Sequence, residues 1–164
     1  MIKLDRIDYR ILEALQDDGR LPVKRLADIV GISVSPCWQR VKKLEKAGII
    51  RRYTAEIAIE KLQAIQIVLA HVVMARQNRE TYAKFERQVR DIPEVVECYE
   101  VTGSIDYHLK FIVKNMERYN EVVETFLGAA FGVEKYFTYV VTRTAKDEQN
   151  VRVSSELISR TASG

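Results

Sequence analysis

The residues of this sequence with the clearest capacity for chemistry are cationic and amide side chains gathered in one short stretch, residues 33–52. The stretch contains six Lys or Arg residues and a single acid, Glu45. Lysine and arginine neutralise DNA phosphates, and a glutamine side chain can read the edge of a base in the major groove. The candidate DNA contacts are Ser33, Ser35, Pro36, Trp38, Gln39, Arg40, Lys42, Lys43, Lys46, Arg51 and Arg52.

Residues 33–47 are predicted to form a helix that presents most of these side chains on one face. Ser33 can cap its start, Pro36 is tolerated in a first turn, and Gly48 follows its end. At about 100° per residue the opposite face has a narrow apolar stripe, which consists of Cys37, Val41 and Leu44. A basic helix face on its own is more often simply solvated, so the preceding sequence decides between the two interpretations.

The residues that precede this helix favour DNA binding. Residues 20–31 have the pattern of a second amphipathic helix, with Pro22 in its first turn, and Gly31 allows a tight turn. A helix, a short turn with glycine and a basic helix are typical of the helix-turn-helix, whose second helix enters the groove. A helix over 5–18 completes the three-helix core. Residues 49–57 have strand character, either as a wing carrying Arg51 and Arg52 or as a plain linker strand.

From residue 65 the sequence alternates between strand and helix patterns in the order β-α-β-β-α-β. Strands are predicted at 65–74, 95–101, 107–113 and 133–144, and helices at 79–90 and 116–127. This order predicts a ferredoxin-like fold with both helices on one face of an antiparallel sheet. The other face still carries apolar residues and must be buried, most simply against a second copy of the chain.

The expected architecture is therefore α+β, with an N-terminal winged helix-turn-helix and a C-terminal αβ domain. The predicted divisions are 1–52 for the DNA-binding domain, 53–64 for a linker or strand, 65–146 for the αβ domain, and 147–164 for a polar tail that we expect to be frayed. Residues 1–62 hold 13 basic and 9 acidic side chains, whereas residues 63–164 hold 13 and 14. The basic excess lies in the half with the helix-turn-helix pattern, as binding to nucleic acid requires.

Composition and cysteine usage indicate a soluble cytoplasmic protein. Hydrophobic residues make up 47% of the chain and charged residues 30%. No run of 18 apolar residues and no basic-then-apolar leader occurs, so we expect neither a membrane span nor a secretion signal. Cys37 and Cys98 are far apart in sequence and fall in apolar faces, which favours packing thiols over a disulfide.

Short motifs recur in a characteristic order and spacing over residues 4–146. In the first half they are Leu4-Asp5-Arg6-Ile7-Asp8, Ile11-Leu12, Asp18-Gly19-Arg20, Ser33-Val-Ser-Pro-Cys37, Arg40-Val41, Leu44-Glu45, Gly48-Ile49-Ile50 and Tyr53-Thr54-Ala55. In the second half they are Pro93-Glu94-Val95, Glu97-Cys98, Val101-Thr102-Gly103 and Asp106-Tyr107. Their joint order and spacing resemble the Lrp/AsnC family, the feast/famine transcriptional regulators. Many members have a serine cap on the second helix where this chain has Pro22.

The resemblance implies a winged helix-turn-helix joined to an αβ ligand-binding domain, often called RAM, that forms homodimers and often octamers. It also implies that a small effector, typically an amino acid, binds near the loop between the second and third strands, at a dimer–dimer interface. The corresponding residues here are Thr102, Gly103, Ser104, Asp106 and Tyr107. Members commonly have Gly-Asp-x-Asp-Tyr, so Ser104 replaces the first acid. We expect Asp106 to supply the negative charge for the ammonium of an amino acid, and amides around Gly103 and Ser104 to face its carboxylate. A plain hairpin loop is the alternative.

Two other classes of function compete with this one. Some proteins of similar fold are sirohaem decarboxylases, and the acid–base candidates here are His71 and His108, predicted on different strands without a carboxylate or Cys partner. The second class is a sensing or scaffold protein that has lost DNA binding. Such a protein should have a neutral or acidic face on its third helix, whereas the third helix of this chain is cationic. No Cys-x-x-Cys or His-x-x-x-His pair occurs, so we expect no metal and no cofactor.

Overall fold

The computed structural model describes residues 3–126, 131–147, 152 and 153 of the 164-residue chain. It divides into two compact units. One comprises Met1–Glu56 with Asp147–Gly164, and the other comprises Ile57–Lys146. The boundary therefore lies inside the segment expected to be a linker, and the C-terminal tail is grouped with the helical unit. None of the helices in the described ranges has the length and hydropathy that a bilayer crossing requires.

The first unit contains three helices, α1 (Arg6–Asp17), α2 (Val23–Val30) and α3 (Val34–Lys46), as the sequence predicts. The Asp5 side chain accepts hydrogen bonds from the amides of Ile7 and Asp8, and Asp8 accepts from the Asp5 amide, which makes a capping box. Gly31 has a φ of 77°, a left-handed conformation that allows the tight turn between α2 and α3. Ser33 occupies the N-cap position of α3, but its side chain makes no capping hydrogen bond, so its predicted capping role is wrong.

The core of the first unit is formed by the apolar faces of these three helices. The predicted stripe of α3 is confirmed, because Cys37, Val41 and Leu44 are all buried. They pack with residues of α1 and α2, and the buried members are Ile11, Leu12, Ala14, Leu26, Ala27 and Val30. The packing leaves the opposite side of α3 facing outwards, which is what a groove-binding helix needs.

The strand predicted over 49–57 does not form, and that prediction is wrong. The amides of Ile49 and Ile50 donate to the Leu44 carbonyl, which closes the end of α3, and residues 51–58 have no regular structure. A strand needs a neighbouring strand to satisfy its amides and carbonyls, and the described part of this unit supplies none. A short 3₁₀ turn, Ile59–Lys61, follows.

Two described residues of the C-terminal tail pack onto α1 and are not frayed, contrary to expectation. The amide of Val153 donates to Gln16 Oε1 at 2.7 Å, and the Val153 side chain packs on the helical core. Arg152 forms an ion pair with Asp17 at 2.9 Å. The tail from 148 to 151 and from 154 to 164 lies outside the described residues.

The second unit is a four-stranded antiparallel sheet with two helices, and the predicted ferredoxin-like order is confirmed. Its elements are β1 (Gln66–Met74), α4 (Arg79–Val89), β2 (Val95–Glu100), β3 (Tyr107–Val113), α5 (Met116–Phe126) and β4 (Val133–Val140). The strand order is β2-β3-β1-β4, with antiparallel pairing throughout. Strand β4 ends four residues before the predicted position.

Alternation along the strands separates a buried face from an outer one. Side chains of β1 and β3 that point towards the helices are fully buried, for example Val72 and Phe111, and they pack with Phe85 of α4 and Tyr119 of α5. The intervening residues share the other face because directly paired residues point to the same side of a sheet. We call this the outer face, and it carries Leu69, His71, Tyr99, His108, Phe137 and Tyr139.

Candidate nucleic-acid interface and effector loop

An arginine of α3 fixes that helix against the start of α1. Nη1 of Arg40 donates to Asp5 Oδ2 and to Asp8 Oδ1, at 2.7 Å in each case. The hydrogen bond from the Asp8 amide, followed by the one from Arg40, lowers the pKa of Asp5 below its ordinary value. Arg40 was expected to contact DNA. Its side chain is 29% exposed and its charge is balanced within the unit, so its first role is to position α3.

A second arginine, which sequence reasoning missed, closes the end of α2. Arg10 of α1 donates to the carbonyls of Ile29 and Val30, at 2.6 and 3.2 Å. These carbonyls lack partners inside α2, so a cation there satisfies them and opposes the helix dipole. The contact spans about twenty residues of sequence, and no local pattern could have indicated it. Together, Arg10 and Arg40 hold α2 and α3 on α1.

The outward side of α3 carries the predicted polar and cationic residues. Ser35, Gln39, Lys43 and Lys46 are exposed, as are Ser33 and Pro36 at the start of the helix. In the described part of the chain, Lys43 and Lys46 have no carboxylate partner. Both ammonium groups are therefore open to phosphates.

Lys42 and Trp38 behave differently from the other exposed residues of α3. Lys42 Nζ bonds Glu45 Oε2 at 2.7 Å and lies 5.9 Å from the centre of the Trp38 ring. The hydrogen bond from Lys42 lowers the pKa of Glu45, so the acid stays ionised and balances the lysine. Tyr53 completes this group by donating to Glu45 Oε1. Lys42 is consequently a weaker candidate for a phosphate contact than Lys43 or Lys46.

Arg51 and Arg52 are exposed, as a contact with DNA requires, but they do not lie on a wing strand. They follow the turn that closes α3, in the irregular segment 51–58. Their guanidinium groups therefore lie just beyond the C-terminal end of the basic helix. A role at flanking phosphates stays a prediction.

The loop between β2 and β3 has an exposed rim that suits an anion. Thr102, Gly103 and Ser104 are exposed, and Gly103 has a φ of 134°, which glycine adopts without strain. The loop is closed below by a bond from the Val101 amide to the Asp106 carbonyl. Within the described ranges, the amides of residues 102–105 donate no hydrogen bond. Such free amides can face a carboxylate.

Asp106, the expected source of negative charge for the effector, lies beneath the loop and not on its surface. Its side chain is buried, at 7% exposure, and accepts hydrogen bonds from the Met74 amide at 2.8 Å, from Gln77 Nε2 and from the Tyr82 hydroxyl. Its own amide donates to the Val72 carbonyl, which draws the loop onto β1. The bond to Asp106 raises the pKa of Tyr82 to about 12, so this phenol stays a proton donor.

Tyr107, the last predicted effector residue, is also buried. Its hydroxyl donates to Glu86 Oε1 at 3.1 Å, and burial raises the pKa of the phenol. Glu100, at the end of β2, is the acid that sequence reasoning missed: it is exposed and pairs across the sheet with Tyr107. It directly precedes Val101, whose amide closes the loop, and its charge raises the pKa of both Tyr82 and Tyr107. An exposed acid on a strand has no distinguishing signal in sequence.

The two histidines are direct cross-strand neighbours on the outer face, a relation that sequence did not indicate. The ring centres of His71 and His108 are 5.1 Å apart, and Tyr139 and Tyr99 flank them. Burial, and then the neighbouring His71, lowers the pKa of His108. No carboxylate or thiol among the described residues hydrogen-bonds either ring. The described residues also contain no group of three or more metal-binding side chains.

Comparison with known proteins agrees with both units. Residues 4–51 match the family model described as winged helix-turn-helix DNA-binding, and residues 67–151 match the Lrp/AsnC ligand binding domain. The chain is 43% identical over 145 residues to the transcriptional regulatory protein DoeX of Halomonas elongata, covering 88% of this chain and 92% of that protein. It is 35% identical over 152 residues to the leucine-responsive regulatory protein of Escherichia coli K12, covering 93% of each.

A solved structure is similar over nearly the whole chain. It is a transcriptional regulator from Neisseria meningitidis, crystallised as a complex with L-Met. It superposes with a TM-score of 0.86 at 32% identity, covering 94% of this chain and 99% of that one. A DNA-binding helical unit and an αβ ligand-binding unit therefore occur here in the same order and on the same scale as in these regulators. The chain belongs to the Lrp/AsnC family of DNA-binding transcriptional regulators.

Proposed function

We propose that this regulator binds a double-stranded DNA operator through the outward side of α3 and performs no catalysis. Gln39 reads a base edge, while Lys43, Lys46, Arg51 and Arg52 hold phosphates. The observation that carries this proposal is the exposed Gln39 on a helix fixed by Arg40, beside Lys43 and Lys46, which have no carboxylate partner among the described residues. Base-edge contacts give specificity and phosphate contacts give affinity, so the two kinds of residue should be separable by mutation. The cytoplasm, where DNA is accessible, is the expected compartment.

The test compares Gln39→Ala with Lys43→Ala in the full chain, on a selected operator and on random DNA. Gln39→Ala should weaken operator binding by about 1–3 kcal/mol and leave random binding nearly unchanged. Lys43→Ala should weaken both and reduce the slope of affinity against salt by about one. Equal effects of Gln39→Ala on the two DNAs would remove its role in recognition.

We propose that two chains pair through the outer face and that dimers associate further, up to an octamer. Phe137, Tyr139 and Tyr99 are between 44% and 53% exposed on this face, an area of aromatic surface that a monomer rarely leaves in water. Sedimentation of the parent and of Phe137→Lys checks the pairing. The parent should be at least dimeric at micromolar concentration, and the variant should shift towards monomer. A parent that sediments as a folded monomer would contradict the proposal.

We propose that the effector is an amino acid held at the 102–105 loop. The free loop amides suit its carboxylate, and Glu100 suits its ammonium better than Asp106 does, because the Asp106 carboxylate already has three donors. The L-Met complex of the similar regulator supports the ligand class. A thermal-shift screen of the twenty amino acids tests this, since a ligand at 100 times its Kd adds roughly 2.7 kcal/mol of stability. No shift with any of them would exclude the class.

A further inference from the structure

The N-terminal half of α3 exposes two large apolar side chains that phosphate and base-edge hydrogen bonding do not explain. Val34 is 47% exposed and Trp38 is 51% exposed, although the helix has a buried apolar stripe of its own. They are four residues apart, so they lie one above the other on the same side of the helix. Exposed apolar residues are unremarkable singly, but a pair on the most polar helix of the unit marks a contact surface.

The indole of Trp38 has a cation beside its face. Lys42, one turn further on, places its ammonium 5.9 Å from the ring centre, and Glu45 Oε2 accepts a hydrogen bond from that ammonium at 2.7 Å. A cation at this distance is attracted to the face of the ring. The charge of Lys42 is thus balanced by Glu45 on the surface of the helix. Val34 and Trp38 form an apolar ridge with Lys42 beside it.

A second row of residues lies beside this ridge and supplies hydrogen-bonding groups. Ser35 and Gln39 each follow a member of the apolar pair by one residue, and both are exposed. In a helix-turn-helix the N-terminal residues of the recognition helix meet the base edges. Two adjacent rows, one apolar and one polar, thus face the floor of the groove together.

A·T pairs present the complement of these two rows. In the major groove the adenine offers N7 and N6, which suit a glutamine amide, and the thymine beside it carries a C5 methyl group, which suits an apolar side chain. An unmethylated G·C pair has no such methyl group. We infer that Val34 and Trp38 contact thymine methyl groups, so that the operator half-site contains A·T pairs recognised jointly by Gln39 and this ridge. This inference rests on the proposed use of α3 in DNA binding.

The experiment replaces thymine by deoxyuridine, which removes the methyl group and keeps every hydrogen-bonding atom. Binding sites are first selected from a random duplex library with the full chain. Each thymine of the half-site is then replaced in turn, and Kd is measured. One or two replacements should each weaken binding by about fourfold, the transfer cost of one buried methyl group.

Protein variants assign the effect to the ridge. In Trp38→Ala and Val34→Ala the ratio of Kd for uracil DNA to Kd for thymine DNA should fall towards one, at a different thymine for each variant. Lys43→Ala is the matched control on the same helix: both affinities should fall while the fourfold ratio stays. If Trp38→Ala binds DNA too weakly to measure, the comparison of this Kd ratio between Val34→Ala and the parent tests the inference. All three substituted side chains, Val34, Trp38 and Lys43, are exposed, so circular dichroism should report unchanged folding.

The outcomes separate the inference from the function on which it rests. Failure to enrich any sequence would contradict specific DNA binding itself, and the inference with it. Enrichment of half-sites without thymine, equal affinity of the parent for thymine and uracil DNA, or an unchanged ratio in both ridge variants would contradict the inference alone. A methyl-dependent ratio that the ridge variants abolish would support it.

Discussion

Two buried carboxylates, one in each unit, anchor the functional elements by different chemistry. Asp8 is 1% exposed and faces the Arg40 guanidinium, so a charge is matched by a charge. Asp106 is 7% exposed, and all three of its hydrogen-bond donors are uncharged groups: an amide, a side-chain amide and a phenol. The first anchor positions α3, the helix proposed to bind DNA, and the second positions the 102–105 loop, which is proposed to hold the effector.

The difference determines how each anchor fails. Removing one partner of a buried ion pair is strongly destabilising, because the other charge stays buried without a counter-charge. A carboxylate that accepts hydrogen bonds from several neutral donors keeps the remaining hydrogen bonds when one donor is lost. The loss of one donor therefore removes only part of its stabilisation. Besides the apolar packing of its buried stripe, α3 is therefore held to the start of α1 by the Arg40 side chain. The loop is held to β1 and α4 by a network of hydrogen bonds.

The largest effect is expected from Arg40→Met, which keeps an unbranched apolar stem and removes the cation. Asp8 would keep its bond from the Asp5 amide but lose its counter-charge. We expect the first unit to lose about 2 kcal/mol of unfolding free energy, less than for a fully buried pair because Arg40 is partly exposed. Fluorescence of Trp38, the single tryptophan of the chain, follows this unit in a urea titration.

Arg118→Met is the control for this measurement. Arg118 pairs with Glu94 and Glu121 on the surface of the second unit, so its loss should leave the Trp38 transition where it is. An unchanged midpoint for Arg40→Met would mean that the contact with Asp8 is not an anchor. If the variant kept the stability of the parent and still lost more DNA affinity than Lys43→Ala, Arg40 would contact DNA directly.

A smaller loss is expected from Asp106→Asn, which keeps the shape of the side chain. The amide can accept at one oxygen, but its NH₂ group must then face a donor, so we expect the second unit to lose about 1.5 kcal/mol. Far-UV circular dichroism follows the sheet, and the Trp38 transition should not move.

Glu100→Gln sharpens the contrast between the two acids at the loop. Because Glu100 is exposed, the stability of the Glu100→Gln variant should match that of the parent. The affinity of the variant for an amino-acid effector should fall, because the contact with the ammonium group is lost. Calorimetry with the ligand found by screening measures this. The opposite pattern, a stable Asp106→Asn that no longer binds the ligand, would return the recognition role to Asp106.

Sequence predicted the elements around both anchors but neither anchor itself. The stripe of Cys37, Val41 and Leu44 and the alternation of β1 are local periodicities, which a single sequence displays. The Arg40 contact joins residues 32 apart, and the bonds of Asp106 depend on which strand lies beside β3. Pairings of that kind have no local signature.

The strand predicted over 49–57 was wrong for the same reason, because it depended on a contact with a distant part of the chain. Its residues have the composition of a strand, but strand formation depends on a partner elsewhere in the chain. The exposed rim of the effector loop was predictable from Gly103, whose backbone requirement is local. The burial of Asp106 was not, because a Gly-x-x-Asp turn reads the same whether its acid points outwards or back onto the sheet.

The smallest effect is expected from a fall in pH. It tests whether the contact between Arg40 and Asp5, beside the first anchor, stabilises the unit electrostatically. The Asp8 amide and Arg40 hold the pKa of Asp5 below its ordinary value of 3.8. The folded state therefore binds this proton less readily than the unfolded state. The resulting stability is complete above the ordinary pKa and is lost as the pH falls through the lowered pKa.

Asp5→Asn keeps a side chain suited to capping but cannot titrate. Thermal unfolding followed by Trp38 at about pH 5 and about pH 3 should show a slightly larger loss in the parent than in Asp5→Asn. Equal losses would show that the acid response of this unit arises from other carboxylates, and that Arg40 acts on Asp5 by geometry alone.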